Sequence, residues 1–146
     1  MVLVIGTRQA AEIRAHLERA YPEEGCGLLV GRDGAAGRRV ERVEPMENRA
    51  AGSRGSRYVI APEDFLAAER RARAEGREVV GFFHGHPDHP PEPSDLDRER
   101  AWPFYSYVIA GVERGRCGAL HAGRLAADGS CFVPEAIVER ESAAGS

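Results

Sequence analysis

The run Val79-Val80-Gly81-Phe82-Phe83-His84-Gly85-His86-Pro87-Asp88-His89-Pro90-Pro91-Glu92-Pro93-Ser94-Asp95-Leu96-Asp97 changes character twice. Val79 to Phe83 is a short apolar run, the pattern of a buried strand, and it leads straight into His84. His84 and His86 stand two residues apart at the strand's end, so their side chains share one face. Two imidazoles on one face can occupy two corners of a zinc tetrahedron. The prolines at 87, 90, 91 and 93 then turn the chain stiffly, because each fixes φ. Ser94 opens a short helix that can return Asp97 as an oxygen ligand. Three protein ligands leave a fourth position for water, the pattern of a catalytic site holding one Zn2+ per chain; such an ion brings the pKa of its water to about 7.

Outward from this segment, apolar strands alternate with helices. Val2 to Ile5 is a short strand, and Thr7 is placed to cap a helix over Arg8 to Ala20, with Ala11, Ile13, Leu17 and Ala20 on one face. Pro22 ends that helix. Cys26 to Val30 reads as an apolar strand, 33–37 as a turn and Arg38 to Val43 as a half-buried strand. The polar, Gly-containing stretch Glu47 to Ser56 reads as a loop. Tyr58 to Ile60 reads as a short strand, and Pro62 opens a helix to about Glu75, stopped by Gly76. Tyr105 to Ile109, Ala119 to Leu125 and Cys131 to Val138 read as three more strands. The expectation is an α/β fold, one domain over 1–140 with a mixed β-sheet flanked by helices, and a frayed tail over 141–146.

The 146 residues suffice for one domain with a sizeable core. A net charge of −3 gives no general pull towards nucleic acid or an anionic membrane. Every basic residue is Arg; with no lysine, the chain offers no side-chain amine for isopeptide attachment. The three cysteines, Cys26, Cys117 and Cys131, lack CxxC spacing and suggest neither a disulfide framework nor a thiolate metal site. The start has no signal-peptide pattern and no stretch reaches membrane-spanning length, so a reducing cytoplasm is the default.

The metal segment and the upstream Pro22-Glu23-Glu24-Gly25-Cys26-Gly27-Leu28-Leu29 together resemble the JAMM (MPN-type) zinc metalloproteases. The family signature is an upstream Glu, then His-x-His-Pro, six residues, Ser, two residues and Asp. In this chain it reads Glu24, His84-Gly85-His86-Pro87, Ser94 and Asp97. The resemblance covers about Arg8 to Val112. It is strongest to the bacterial branch, which shares the HPDHPxxPS pattern from His86 to Ser94 and the aromatic stretch Trp102 to Tyr107. The position between the histidines is commonly Ser in the family and is Gly85 here; a change there bears on the surroundings of the ligands.

The resemblance implies the MPN layering, related to cytidine deaminases, and zinc held by His84, His86 and Asp97. It implies Glu24, two before Cys26, as the group that takes a proton from the nucleophilic water and returns it to the leaving amine. It implies Ser94 as a donor to the oxyanion. The substrate it implies is a ubiquitin-like protein with a C-terminal Gly-Gly, cleaved at the amide bond that follows, including release of cysteine from a sulfur carrier. The opposing class is a non-catalytic MPN-type scaffold that binds partners. Such scaffolds typically lack a ligand, whereas this chain keeps the full set.

Plainer readings compete residue by residue. Ser94-Asp-Leu-Asp97 also fits a helix-capping box; capping and ligation are expected to compete at Asp97, with ligation favoured. Asp88 and His89 read as solvated or substrate-facing, and His16 and His121 as structural. Cys26 lies in an apolar strand and behaves as a small hydrophobe. Arg70, Arg71 and Arg73 form a solvated helix face. Oligomeric state is open, although an exposed sheet edge would let two chains pair as a homodimer.

Overall fold

In the computed structural model, which describes residues 1–141, chain order runs β1 (Val2–Gly6), α1 (Thr7–Ala20), β2 (Cys26–Gly34), β3 (Gly37–Met46), α2 (Pro62–Ala74) and β4 (Glu78–Pro87). It continues with α3 (Asp95–Arg100), β5 (Ser106–Glu113), β6 (Arg116–Cys117), β7 (His121–Leu125) and β8 (Phe132–Arg140). The strands form one mixed sheet in the order β4-β2-β3-β1-β8-β7-β5-β6. Within it β1 runs parallel to β3 and β8, and β2 antiparallel to β3 and β4. β4 and β5, far apart in that order, also pair in parallel from Gly81 with Ser106 to Pro87 with Val112, so the sheet curls back on itself. The α/β expectation of one domain with a mixed sheet and helices holds.

The period of two along β2 divides the core. Leu29 joins Leu3, Ile5, Phe83 and Val108 under α1, whose Ala10, Ile13 and Leu17 are buried. Leu28 and Val30, on the other face, pack with Ala68 and Ala72 of α2. In β4 this alternation is interrupted. Leu29 pairs with Gly81 and Val30 with Val79, leaving Val80 as an extra residue in a β-bulge. Val80 therefore packs under α1, while Phe82 returns to the α2 face. An unbroken alternation would have put Val80 and Phe82 on the same face. The bulge thus sets the phase in which His84 and His86 follow Phe82, while Phe83 and Gly85 turn towards α1.

A buried arginine fixes this corner. Arg38, 2% exposed, donates from one terminal nitrogen to Val80 O at 2.9 Å, Phe104 O at 2.9 Å and Ser106 Oγ at 3.1 Å. Its Nε donates to Asp33 at 2.8 Å, and its guanidinium lies 4.8 Å from the Phe104 ring centroid.

Local differences from the sequence reading have physical causes. Thr7 is not the cap of α1: the helix starts at Thr7 itself, with Gly6 at the N-cap and no side-chain cap. Tyr58 to Ile60 is not a strand; its Val59 amide is taken by a side chain, Asn48, rather than by a ladder partner. The strand that begins near Val79 continues through both histidines to Pro87, because β5 pairs with it along that length. Ala119 and Leu120 precede β7, and the short hairpin strand β6 carries no periodic signal. Residues 142–146 of the expected tail lie outside the described residues. Among the described residues no helix is long and apolar enough to cross a membrane.

Candidate metal centre

β4 brings His84 and His86 to one face at the end of the sheet, and α3 returns Asp97 to them. The three ligand-capable atoms form a near-equilateral triangle. His84 Nε2 lies 3.1 Å from His86 Nε2 and 3.2 Å from Asp97 Oδ2, and His86 Nε2 lies 3.2 Å from the same oxygen. A tetrahedral ion bound at about 2.0–2.1 Å to nitrogen and oxygen sets ligand separations of about 3.3 Å, so the triangle fits one face of such a coordination shell. The donor chemistry agrees. His86 Nδ1 lies 2.8 Å from Pro90 O, a carbonyl that only accepts, so Nδ1 carries the proton and Nε2 presents its lone pair. Burial lowers the pKa of His84, favouring the neutral imidazole that a metal requires. The buried His84 Nδ1 has no hydrogen-bond partner among the described residues.

Asp97 does two things that seemed exclusive. Ser94 Oγ accepts from Asp97 N–H at 3.0 Å, and Ser94 N–H donates to Asp97 Oδ2 at 2.9 Å, completing a capping box for α3. That same Oδ2 faces both histidines. Competition between capping and ligation was expected; a carboxylate oxygen has lone pairs enough for both. Burial acts to raise the Asp97 pKa, but when the two imidazoles are protonated at Nε2, as they can be without a metal, hydrogen bonds from His84 and His86 outweigh it and hold the carboxyl well below its ordinary range. Ser94 accepts through Oγ here, which leaves its own O–H free to donate.

Glu24 enters from the segment preceding β2 and is 5% exposed. It groups with His84 and His86, their ligand-capable atoms all within 4.8 Å of one another. Asp97 makes the tighter set with the two imidazoles, at 3.2 Å, so Glu24 stands beside the triangle, within reach of a fourth position. Burial is the main cause that pushes its pKa up to about 7, with Asp97 adding to the rise and His86 opposing it. Such a carboxyl can accept and release a proton near neutrality. Cys26 pairs with His84 across β2 and β4 but is fully buried, and burial pushes its thiol up to about 12, which keeps it protonated near neutrality.

Several positioning groups escaped the sequence reading. Asn48 Nδ2 donates to Glu24 O at 2.9 Å and to Arg57 O at 3.0 Å, while its Oδ1 accepts from Ala50 N at 3.0 Å and Val59 N at 3.1 Å. Glu24 N–H donates to Arg54 O at 2.7 Å. The 47–56 loop is therefore tied to the backbone of Glu24. Tyr58 stacks on His84 with ring centroids 4.5 Å apart. Asp88, read from sequence as a spare polar group, accepts from Tyr21 O–H at 2.6 Å and Arg114 N–H at 2.8 Å, and so secures the turn after His86. An Asn within a polar loop, or a Tyr twenty-six residues from the histidine it stacks on, carries no local pattern; the HPDHP run was the only available hint for Asp88. Gly85 sits where a Cβ would meet Val112 and Leu17, away from the ligands.

Residues 7–122 match the family model described as prokaryotic homologs of the JAB domain. The chain belongs to this family. It is similar to a desampylase of Haloferax volcanii, 42% identical over 93 residues, which span 63% of this chain and 65% of that protein. It is also similar to a probable TtuB-protein conjugate cleaving protease of Thermus thermophilus, 36% identical over 85% of this chain and 80% of that protein. Among solved structures, a Desulfitobacterium hafniense protein superposes with a TM-score of 0.84 at 30% identity, covering 97% of this chain and 95% of that one.

Proposed function

We propose that this prokaryotic JAB-family chain is a zinc-dependent hydrolase that cleaves the amide bond after the C-terminal Gly-Gly of a ubiquitin-like protein. The observation that carries the reading is the 3.1–3.2 Å triangle of His84, His86 and Asp97 with the buried Glu24 beside it. Two imidazoles and one carboxylate are the donor set of a catalytic zinc site with an open position, which favours an enzyme over a partner-binding scaffold. Zinc held there supplies Lewis acidity to the scissile carbonyl and acidifies the attacking water.

The residues divide the remaining work. Glu24, with its carboxyl near neutrality, takes a proton from the attacking water and returns it to the departing amine. The free O–H of Ser94 donates to the oxygen of the tetrahedral intermediate. A cavity of about 220 Å³ reaches Asp97 between Arg57, Tyr58, Phe82 and Arg100. A space of this small volume suits a chain end without side chains, as Gly-Gly is. The name of the Thermus relative, a protein-conjugate cleaving protease, favours a protein conjugate as substrate over release of free cysteine from a sulfur carrier.

The test is a set of three variants. Glu24→Gln should abolish hydrolysis of a Gly-Gly-linked conjugate yet keep its zinc, because Glu24 is not a ligand. His84→Ala and Asp97→Ala should lose the metal along with activity. Undiminished turnover in Glu24→Gln would overturn the assignment.

A further inference from the structure

The metal centre opens two ways, and the two openings differ in charge. One cavity, of about 260 Å³, has Glu24, His86, Glu92 and Ser94 in its lining. The other, of about 220 Å³, has Asp97 together with Arg57 and Arg100. Among the described residues Asp97 is the only carboxylate in that second lining, and its Oδ2 already faces His84, His86 and the Ser94 amide.

Both arginines are exposed, and each is kept near the metal centre by the residues around it. Arg100 follows Asp97 by three on α3, a spacing that makes side chains neighbours on a helix. Arg57 precedes Tyr58, whose ring stacks on His84, and its carbonyl accepts from Asn48 Nδ2 at 3.0 Å. Other arginines of the same two segments are spent, Arg98 on Asp95 and Arg49 on Asp64. Among the described residues neither Arg57 nor Arg100 has a carboxylate partner. Two uncompensated guanidiniums at the mouth of one small cavity attract an anion.

The reaction decides which part of a substrate meets them. Glu24 returns its proton to the leaving amine, so the amine departs on the Glu24 side and the acyl chain lies on the Asp97 side. Two glycines in extended form span about 7 Å, which carries the residue before them out of the cavity to its mouth. We propose that Arg57 and Arg100 select a ubiquitin-like chain whose residue immediately before Gly-Gly is acidic, its carboxylate lying between the two guanidiniums. This rests on the hydrolase reading and adds to it a charge preference that Gly-Gly itself does not carry.

Hydrolysis of acetyl-X-Gly-Gly-aminomethylcoumarin, with X as Glu, Gln or Lys, tests it on the zinc-loaded full chain. The expected kcat/KM for Glu exceeds that for Lys by about tenfold or more, with Gln between, since one exposed ion pair is worth up to about fivefold and two act together. The difference should sit in KM and shrink as salt rises from about 0.05 to about 0.5 M. Arg57→Glu combined with Arg100→Glu, both at exposed positions, should reverse the order. Amide chemical-shift titration with the cleaved products acetyl-Glu-Gly-Gly and acetyl-Lys-Gly-Gly, read at Val59 and Leu96, measures the preference without turnover. If no substrate is cleaved while the Glu product binds more tightly, the hydrolase reading fails and the charge preference stands. Equal kcat/KM for the three substrates, no tighter binding of the Glu product, or an unchanged order in the folded double variant would overturn the proposal. Should the double variant not fold, a Glu-to-Lys ratio in the wild type that salt does not reduce would overturn it as well.

Discussion

Asn48→Ala is the perturbation that best separates a well-placed Glu24 from one merely present in the sequence. The Asn48 amide makes four hydrogen bonds, two donated to Glu24 O and Arg57 O and two accepted from Ala50 and Val59. At about 1 kcal/mol each for a half-exposed group, truncation should cost about 3–4 kcal/mol of stability. Asn48 touches none of His84, His86 and Asp97, so metal content should not change. The backbone of Glu24, however, would lose one of the two bonds that tie it to the 47–56 loop. A displacement of about 1 Å at a proton-transferring group costs up to about a hundredfold in rate, so kcat should fall by about 10- to 100-fold with KM little altered. Asn48→Asp sharpens the reading. It keeps an acceptor for Ala50 and Val59 but sets a second oxygen against the carbonyls of Glu24 and Arg57, and it should lose activity as Ala does. Urea unfolding, metal analysis and steady-state hydrolysis of a Gly-Gly-linked conjugate make the measurement. Wild-type kcat in a folded Asn48→Ala protein would refute the positioning argument.

Other substitutions carry their own outcomes. Arg38→Met strands the Val80 and Phe104 carbonyls in the interior and should cost about 3–5 kcal/mol by urea unfolding; a loss below about 1 kcal/mol would show that the bulge at Val80 stands without it. Gly85→Ser meets Val112 Cγ2 at 3.1 Å and Leu17 Cδ2 at 3.3 Å; the Leu17 end can swing aside, while the stiff, buried Val112 must give by a few tenths of an ångström. It should change stability by less than about 1.5 kcal/mol and keep activity, whereas loss of metal in this variant would contradict the placement of residue 85 away from the ligands. Glu24→Gln should stabilise the metal-free protein in a pH-dependent way. Because the folded pKa of Glu24 is raised to about 7, its contribution to stability is intact below the ordinary carboxyl pKa and is lost as pH rises through about 7. The variant should therefore match wild type at pH 4 and exceed it in melting temperature at pH 8; equal melting temperatures at pH 8 would count against a buried, strained carboxyl.

What the sequence could reveal of the site was whatever lay in short-range register. His84, His86, Ser94 and Asp97 fall within one turn of chain, and strand alternation plus stiff prolines suffice to bring them together. Glu24 needed the resemblance to a family, because its position beside His84 arises only when β2 pairs with β4. The ties from Asn48 and Tyr58 were hidden for the same reason, since both close long loops. The fold shows a similar division. The α2 boundaries at Pro62 and Gly76 are local signals and were legible. The bulge at Val80 was not, because the residue is apolar on either face and only pairing with Leu29 and Val30 decides which it takes. The box of Ser94 and Asp97 was visible as a motif; its sharing of one oxygen with the two histidines was a matter of geometry.

The most direct measurement is metal reconstitution of the purified chain. The account predicts that chelator-stripped protein is inactive, that it takes up one zinc per chain, and that hydrolysis of a conjugate joined through Gly-Gly to lysine returns in proportion to zinc bound. A protein that binds no zinc, or that cleaves the conjugate equally well after stripping, would contradict it.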